Sequence, residues 1–195
     1  SRSPVPQTMR LPRIARLFAA FVLIAGAAQA ASIKTDYVEA ELVAQQLALV
    51  AGQPTWIGLR LKHAKDWHTY WRNPGDSGLP TKIEWQLPPG YSVGPIEWPV
   101  PKRIPIPPLA NYGYEGEILL LAELQVPKGL FAGSARIRAR ADWLVCKTVC
   151  VPGGADLELE LPVVQGTPAP DDRWATLFAA TRSALPADVH GWQAT

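Results

Sequence analysis

The feature that most constrains the fold of this chain is a pair of cysteines, Cys146 and Cys150, with three residues between them. They are the only cysteines in the sequence. An extended segment of this length would hold their Cα atoms about 13 Å apart, whereas a disulfide needs about 4.4 to 6.8 Å. A bond between them therefore requires a turn, and the β-branched residues around it, with Pro152 close behind, favour a β-hairpin over a helical turn.

The segments on either side of this turn alternate in polarity. Residues 134–143 carry charged side chains, three arginines and Asp142, on one face and apolar ones on the other, and residues 155–161 do the same with acidic side chains. With Thr148 at the centre, the alternation predicts three cross-strand ion pairs: Arg140 with Asp156, Arg138 with Glu158, and Arg136 with Glu160. A slip of one residue would turn the apolar face to water. The same parity predicts that Cys146 lies opposite Cys150, on the charged, outward face.

The first 30 residues are typical of a leader rather than of a fold. Basic residues follow Met9, an apolar run extends from Leu17 to Ala28, and small residues at Ala28 and Ala30 predict a secretory signal peptide cleaved after Ala30. Removing it takes four arginines and no acid, which changes the formal charge from +2 to −2. The remainder is expected to be soluble, with no nucleic acid as partner. Export places the cysteines where disulfides persist.

Strand-like segments separated by turn signals follow, with little helix signal before residue 170. They predict one all-β domain over residues 31–165, an immunoglobulin-like antiparallel β-sandwich of about eight strands. The proline-rich segment Pro99 to Pro108 is expected to be an extended loop at an edge. Beyond Pro170, apolar residues at helical spacing predict a short amphipathic helix. Residues 166–195 are therefore interpreted as a linker and helix leading into a following domain that this sequence lacks.

Three ordered motifs, at residues 67–80, 111–116 and 141–152, resemble the N-terminal periplasmic domain of the DsbD family of thiol:disulfide interchange proteins. The branch that includes ScsB, the suppressor of copper sensitivity, is the more similar one. The resemblance implies that Cys146 and Cys150 are the catalytic pair of a protein-disulfide reductase. They would receive electrons from a transmembrane domain of the same protein and pass them to periplasmic thioredoxin-like proteins. Such exchange needs no cofactor, and the resemblance implies a periplasmic location with a tether to the inner membrane through the missing C-terminal part.

The resemblance also indicates a loop that shields the sulfurs. Better-known members have five residues between their cysteines and an aromatic residue just before a Tyr-Gly pair, whereas here the spacing is three and Asn111 precedes Tyr112 and Gly113. By position, the cap loop would comprise Asn111, Tyr112, Gly113 and Tyr114. The two tyrosine rings are expected to lie over the disulfide.

The residues alone leave another reading open. A cysteine pair in an exported domain is often only structural, and an exported sandwich rich in tryptophan can bind carbohydrate. Two thiolates could also hold copper(I). The aromatic set that would form a sugar platform is expected instead to fill the core and its rim: Trp67, Tyr70, Trp71, Trp85 and Trp98. The three histidines stand at no ligand spacing with the cysteines.

Overall fold

A computed structural model describes residues 29–187 of the chain. The expected leader falls outside these residues except for its last two, Gln29 and Ala30, which form a short strand, and the last eight residues of the chain also lie outside them. The elements, in chain order, are β1 (Gln29–Ala30), β2 (Ile33–Lys34), β3 (Val38–Ala44), β4 (Leu49–Val50), β5 (Thr55–His63), β6 (His68–Gly75), β7 (Lys82–Gln86), β8 (Ser92–Val93), β9 (Lys102–Ile106), β10 (Leu109–Glu115), β11 (Glu117–Gln125), β12 (Gly133–Cys146), β13 (Cys150–Val164) and α1 (Ala175–Ser183).

The strands form two sheets. One has eight strands in the order β1-β13-β12-β6-β10-β9, with β4 added beside β13 and β7 beside β12; the other has five, in the order β2-β3-β5-β11-β8. All pairings are antiparallel except β13 with β4. The predicted immunoglobulin-like β-sandwich is therefore confirmed.

The main core lies between the sheets and is supplied by strand alternation. The inward residues of β12 and β13, from Ala135 to Ala141 and from Ala155 to Leu161, pack against those of β3, β5 and β11, including Leu42, Leu59 and Leu120. Burial of these apolar side chains is the main force that holds the sheets together. It leaves the opposite face of β12 and β13 for charged residues.

The hairpin of β12 and β13 has the register that the sequence predicts. Arg140 pairs with Asp156, Arg138 with Glu158 and Arg136 with Glu160, and Cys146 lies opposite Cys150. The corresponding ion pairs measure 3.2, 2.8 and 3.2 Å. Exposed pairs of this kind each contribute at most about 1 kcal/mol. Their main effect is to select one register for the strands that carry the cysteines.

The helix is also confirmed, and it covers the outer face of the five-stranded sheet. Phe178 of α1 is buried with Val43, Leu119 and Leu121 in a second apolar cluster. The helix begins at Ala175 rather than at the aspartates of residues 171 and 172. Among residues 29–187, no helix is both long and apolar enough to cross a membrane.

One local expectation was wrong. The segment from Pro99 to Pro108 is not all loop, because Lys102–Ile106 forms β9 and pairs with β10. Its position at the edge of the sheet explains how it tolerates Pro105, which has no N–H to donate outward.

Candidate functional site

The two cysteines form a disulfide at the tip of the β12–β13 hairpin. Their Cα atoms are 4.1 Å apart. Within the three-residue turn, the Lys147 N–H donates to the Val149 carbonyl at 3.0 Å. A long, regular hairpin anchored in the core thus presents the S–S bond at its end.

The two sulfur-bearing residues differ sharply in exposure. Cys146 is only 1% exposed, whereas Cys150 is exposed. The unbroken register keeps Cys146 at the parity of Arg138 and Arg140, as predicted, but this position is not exposed to solvent, because β6 pairs with the end of β12 at His68 and Cys146. An incoming thiol or thiolate would therefore meet the hairpin at Cys150.

Two side chains of β6 lie beneath this exposed cysteine. The Tyr70 hydroxyl is 3.9 Å from Cys150 Sγ, and His68 Nε2 is 3.4 Å from the same hydroxyl. The His68 and Tyr70 rings meet edge to face, with centroids 5.2 Å apart. Tyr70 is 1% and His68 3% exposed. The disulfide therefore rests on a buried polar pair.

Burial sets the protonation of this pair. It raises the pKa of the Tyr70 phenol, although a hydrogen bond with Ser77 acts in the opposite direction. Burial also lowers the pKa of the His68 imidazole, despite the nearby negative charge of Glu115. At neutral pH the site thus holds a neutral phenol and a neutral imidazole.

The segment after β6 covers Tyr70. Gly78 has a φ of 100°, and a Cβ there would lie 2.4 Å from the Tyr70 ring. Beside it, the Ser77 N–H donates to Asn111 Oδ1 at 3.1 Å, and Asn111 Nδ2 donates to Ser77 Oγ at 2.9 Å. Asn111 is fully buried. The first residue of the expected cap loop therefore anchors the segment that packs on Tyr70.

The other residues of that motif lie along β10. Gly113 pairs with Tyr70 of the neighbouring strand β6. A Cβ at Gly113 would lie 2.1 Å from the Thr69 carbonyl oxygen. The Tyr114 hydroxyl donates to the Pro99 carbonyl at 2.7 Å, inside the core, and burial raises the pKa of this phenol. Tyr112 is 38% exposed. A capping role for these rings stays a prediction.

Charges near the turn are paired with each other. Lys147 Nζ lies 3.1 Å from Asp66 Oδ2, and both side chains are exposed. The lysine charge is therefore shared with a carboxylate and screened by water. Within the described part of the chain, no cluster of three or more His, Cys, Asp or Glu side chains could hold a metal ion.

The aromatic set belongs to the core and its rim, as expected. Tyr70 is buried, and the four tryptophans are partly buried against the main core. Trp67 stacks on Tyr37 with ring centroids 3.7 Å apart. Sequence reasoning placed Tyr70 only in this set and gave His68 no role. The signal that could have revealed both is their position within the motif at residues 67–80.

The comparisons with known proteins agree with this site. The profile of the N-terminal domain of the thiol:disulfide interchange protein DsbD matches residues 35–162. The crystal structure of the N-terminal periplasmic domain of ScsB from Proteus mirabilis is similar with a TM-score of 0.59 and 20% identity, over 80% of this chain and 58% of that one. The chain thus spans less than two thirds of that solved domain.

A second solved structure, the GAE domain of yeast GGA1, gives a TM-score of 0.31 at 8% identity, over 66% of this chain and 97% of its own. No curated protein sequence matches the chain. The DsbD profile, in contrast, spans most of the sandwich and includes both cysteines of the hairpin. The chain therefore belongs to the family of DsbD N-terminal domains, with a ScsB-like fold.

Proposed function

We propose that this protein is a periplasmic thiol-disulfide exchange domain that relays electrons through Cys146 and Cys150. A membrane-embedded reductase domain of the same protein would reduce the disulfide, and periplasmic thioredoxin-like proteins would receive the electrons. The observation that carries the proposal is the asymmetry of the pair: Cys150 is exposed at the hairpin tip and Cys146 is buried behind it. A partner can reach one sulfur while the other is held ready to resolve the bond.

In a purely structural role, this disulfide would add little to the stability of the domain. It closes a ring of five residues, which in the chain-entropy model contributes only about 2 kcal/mol. The strands that it joins already pair continuously from Gly133 with Val163 to Cys146 with Cys150. The hairpin is therefore already stabilised by its strand pairing. An exposed disulfide at its tip suits thiol exchange better than a structural role.

The chemistry needs only the two cysteines. In the reduced domain the Cys150 thiolate attacks one sulfur of the partner's disulfide, and the partner's other sulfur leaves as a thiolate. Cys146, as a thiolate, then attacks Cys150 Sγ and re-forms the intramolecular bond, while the second partner sulfur leaves. Two electrons have then passed from the domain to the partner.

The cellular setting is part of the same proposal. Residues 1–30 would direct export, residues 31–165 would form the exchange domain, and residues 166–195 would lead toward the membrane-embedded part. The ScsB domain that shares the fold is described as periplasmic, which supports this location. A role in copper tolerance would follow from the ScsB-like branch.

The reduction potential of the pair tests the proposal most directly. We expect a value above about −300 mV, because structural disulfides typically lie below that level. Equilibration of the purified domain with glutathione or dithiothreitol mixtures, followed by alkylation of free thiols, would give the value. A potential well below this level would instead mark the bond as structural.

The cap hypothesis has its own test at Tyr112, the exposed ring of the motif. If this ring shields the sulfurs, Tyr112→Ala should speed the reaction of the reduced domain with a small aromatic disulfide several-fold. Phe131, 85% exposed in the loop between β11 and β12 at the other end of the hairpin, offers a matched control as Phe131→Ala. An unchanged rate in the Tyr112 variant would exclude a capping role for this ring.

A further inference from the structure

A series of polar side chains leads from the cap-loop motif to the exposed cysteine. It begins at Asn111, whose amide is fixed in one orientation: Oδ1 accepts the Ser77 N–H, so Nδ2 must point at Ser77 Oγ. Asn111 is fully buried and Ser77 is half-buried, so water has limited access to these bonds. The Ser77 oxygen therefore already accepts one hydrogen bond.

The direction of the remaining contacts follows from the number of donors and acceptors that each hydroxyl has. With its oxygen engaged by Asn111, the Ser77 hydroxyl can direct its own proton toward its other neighbour, the Tyr70 hydroxyl, and Ser77 opposes the rise that burial causes in the pKa of that phenol. His68 Nε2 lies 3.4 Å from that same oxygen, and in the tautomer with its proton on Nε2, which we adopt, it donates to that oxygen. Tyr70 then has one free direction for its own proton, and Cys150 Sγ lies 3.9 Å away.

We propose that Tyr70 is a catalytic residue of the exchange reaction and that its hydroxyl donates a hydrogen bond to the Cys150 thiolate. Ser77 and Asn111 are positioning residues that aim this proton. The inference rests on the proposed function and assigns these side chains a task within it. In the oxidised domain the disulfide sulfur is a weak acceptor, and the separation of 3.9 Å fits that. A thiolate carries a full negative charge and accepts much more strongly.

No proton is lost in this scheme. The Cys150 thiolate attacks the partner disulfide with its own electron pair, and Tyr70 keeps its O–H bond throughout. When Cys150 is released again as a thiolate during reduction of the domain, the same hydroxyl stabilises the developing charge. The other charged or titratable groups near the pair are His68, Glu115 on β10, and the Lys147–Asp66 ion pair at the turn.

The titration of Cys150 tests the inference without any partner protein. In a Cys146→Ala background, where Cys150 is the only thiol, ultraviolet absorbance of the thiolate gives its pKa. Tyr70→Phe should raise that pKa by about one unit, because a hydrogen bond to the charged form is lost. Ser77→Ala should raise it by a smaller amount, and Ser77→Thr, which keeps the hydroxyl, should restore it. Tyr91→Phe, on the other sheet's side of the core, serves as the matched control and should change nothing.

An unchanged Cys150 pKa in a folded Tyr70→Phe variant would overturn the inference. Because Tyr70 is buried, near-ultraviolet circular dichroism must first show that the Tyr70→Phe variant folds. If it does not fold, the Ser77→Ala variant provides the test, since Ser77 is only half-buried. An unshifted Cys150 pKa in that variant would then overturn the proposal. Exchange with a thioredoxin-like partner is scored separately. A shifted pKa in a domain that never exchanges would refute the proposed function and support the Tyr70 hydrogen bond, whereas exchange with an unshifted pKa would refute the hydrogen bond alone.

Discussion

A Cys146→Ala variant of this domain is expected to form a stable mixed disulfide with a thioredoxin-like partner. The remaining Cys150 is exposed at the hairpin tip and can attack the partner's disulfide. Without Cys146 no thiol is left to resolve the bond, so the intermolecular disulfide accumulates. Non-reducing electrophoresis would show it as a band at the summed mass that disappears with dithiothreitol.

The matched variant Cys150→Ala should trap little or nothing, because its remaining thiol, Cys146, is only 1% exposed. The double variant should still fold, since the bond contributes about 2 kcal/mol to a total that is typically about 5 to 15 kcal/mol. Its exchange activity should vanish. Trapping by Cys150→Ala instead would show that the buried sulfur attacks. If the double variant fails to fold and neither single variant traps a partner, the disulfide has only a structural role.

The hairpin that carries these cysteines could be predicted residue by residue. Alternation defined both strands, and opposite charges at fixed distances from Thr148 left a single register, in which Arg138 meets Glu158. Such patterns are local, since they depend on side chains that follow one another along two adjoining strands. The fold class followed from the same kind of periodicity.

The surroundings of the disulfide could not be predicted in this way. The burial of Cys146 depends on its pairing with His68, and the contact between Tyr70 and Cys150 joins residues 80 positions apart. No periodicity within either segment encodes which strands become neighbours. The strand β9 was not predicted for a related reason. A proline-rich segment can form a strand only at the edge of a sheet, and the sequence does not show where such an edge lies.

The largest stability effect is expected at Arg60 of β5, whose side chain is 8% exposed. Its guanidinium binds Glu117 at 2.7 Å, Glu39 at 3.1 Å and Glu41 at 3.3 Å, and Trp174, just before α1, lies over it with its ring centroid at 5.2 Å. The hydrogen bond from Arg60 lowers the pKa of Glu39, whereas burial raises the pKa of Glu41. One buried cation therefore holds three carboxylates together between the sheet and the helix.

Arg60→Met should lower the free energy of unfolding by about 3 kcal/mol, the lower end of the range for breaking a buried ion pair, because Glu39 and Glu117 keep some contact with water. The lowered pKa of Glu39 contributes stability above its ordinary pKa that is lost as the pH falls through the folded-state value. The variant loses that contribution. With Glu41 then uncompensated, its raised pKa should make the variant more stable as the pH falls from about 7 to about 5.

Urea unfolding at both pH values, followed by tryptophan fluorescence, would measure these changes. Arg136→Met is the matched control, since Arg136 pairs with Glu158 and Glu160 on the exposed face and its side chain is 51% exposed; its loss should cost less than about 1 kcal/mol. Adding Glu41→Gln to Arg60→Met should recover part of the loss, because it removes an unpaired buried charge. Equal losses in the two arginine variants, or no recovery with Glu41→Gln, would show that the buried ion pairs at Arg60 do not make the expected contribution to stability.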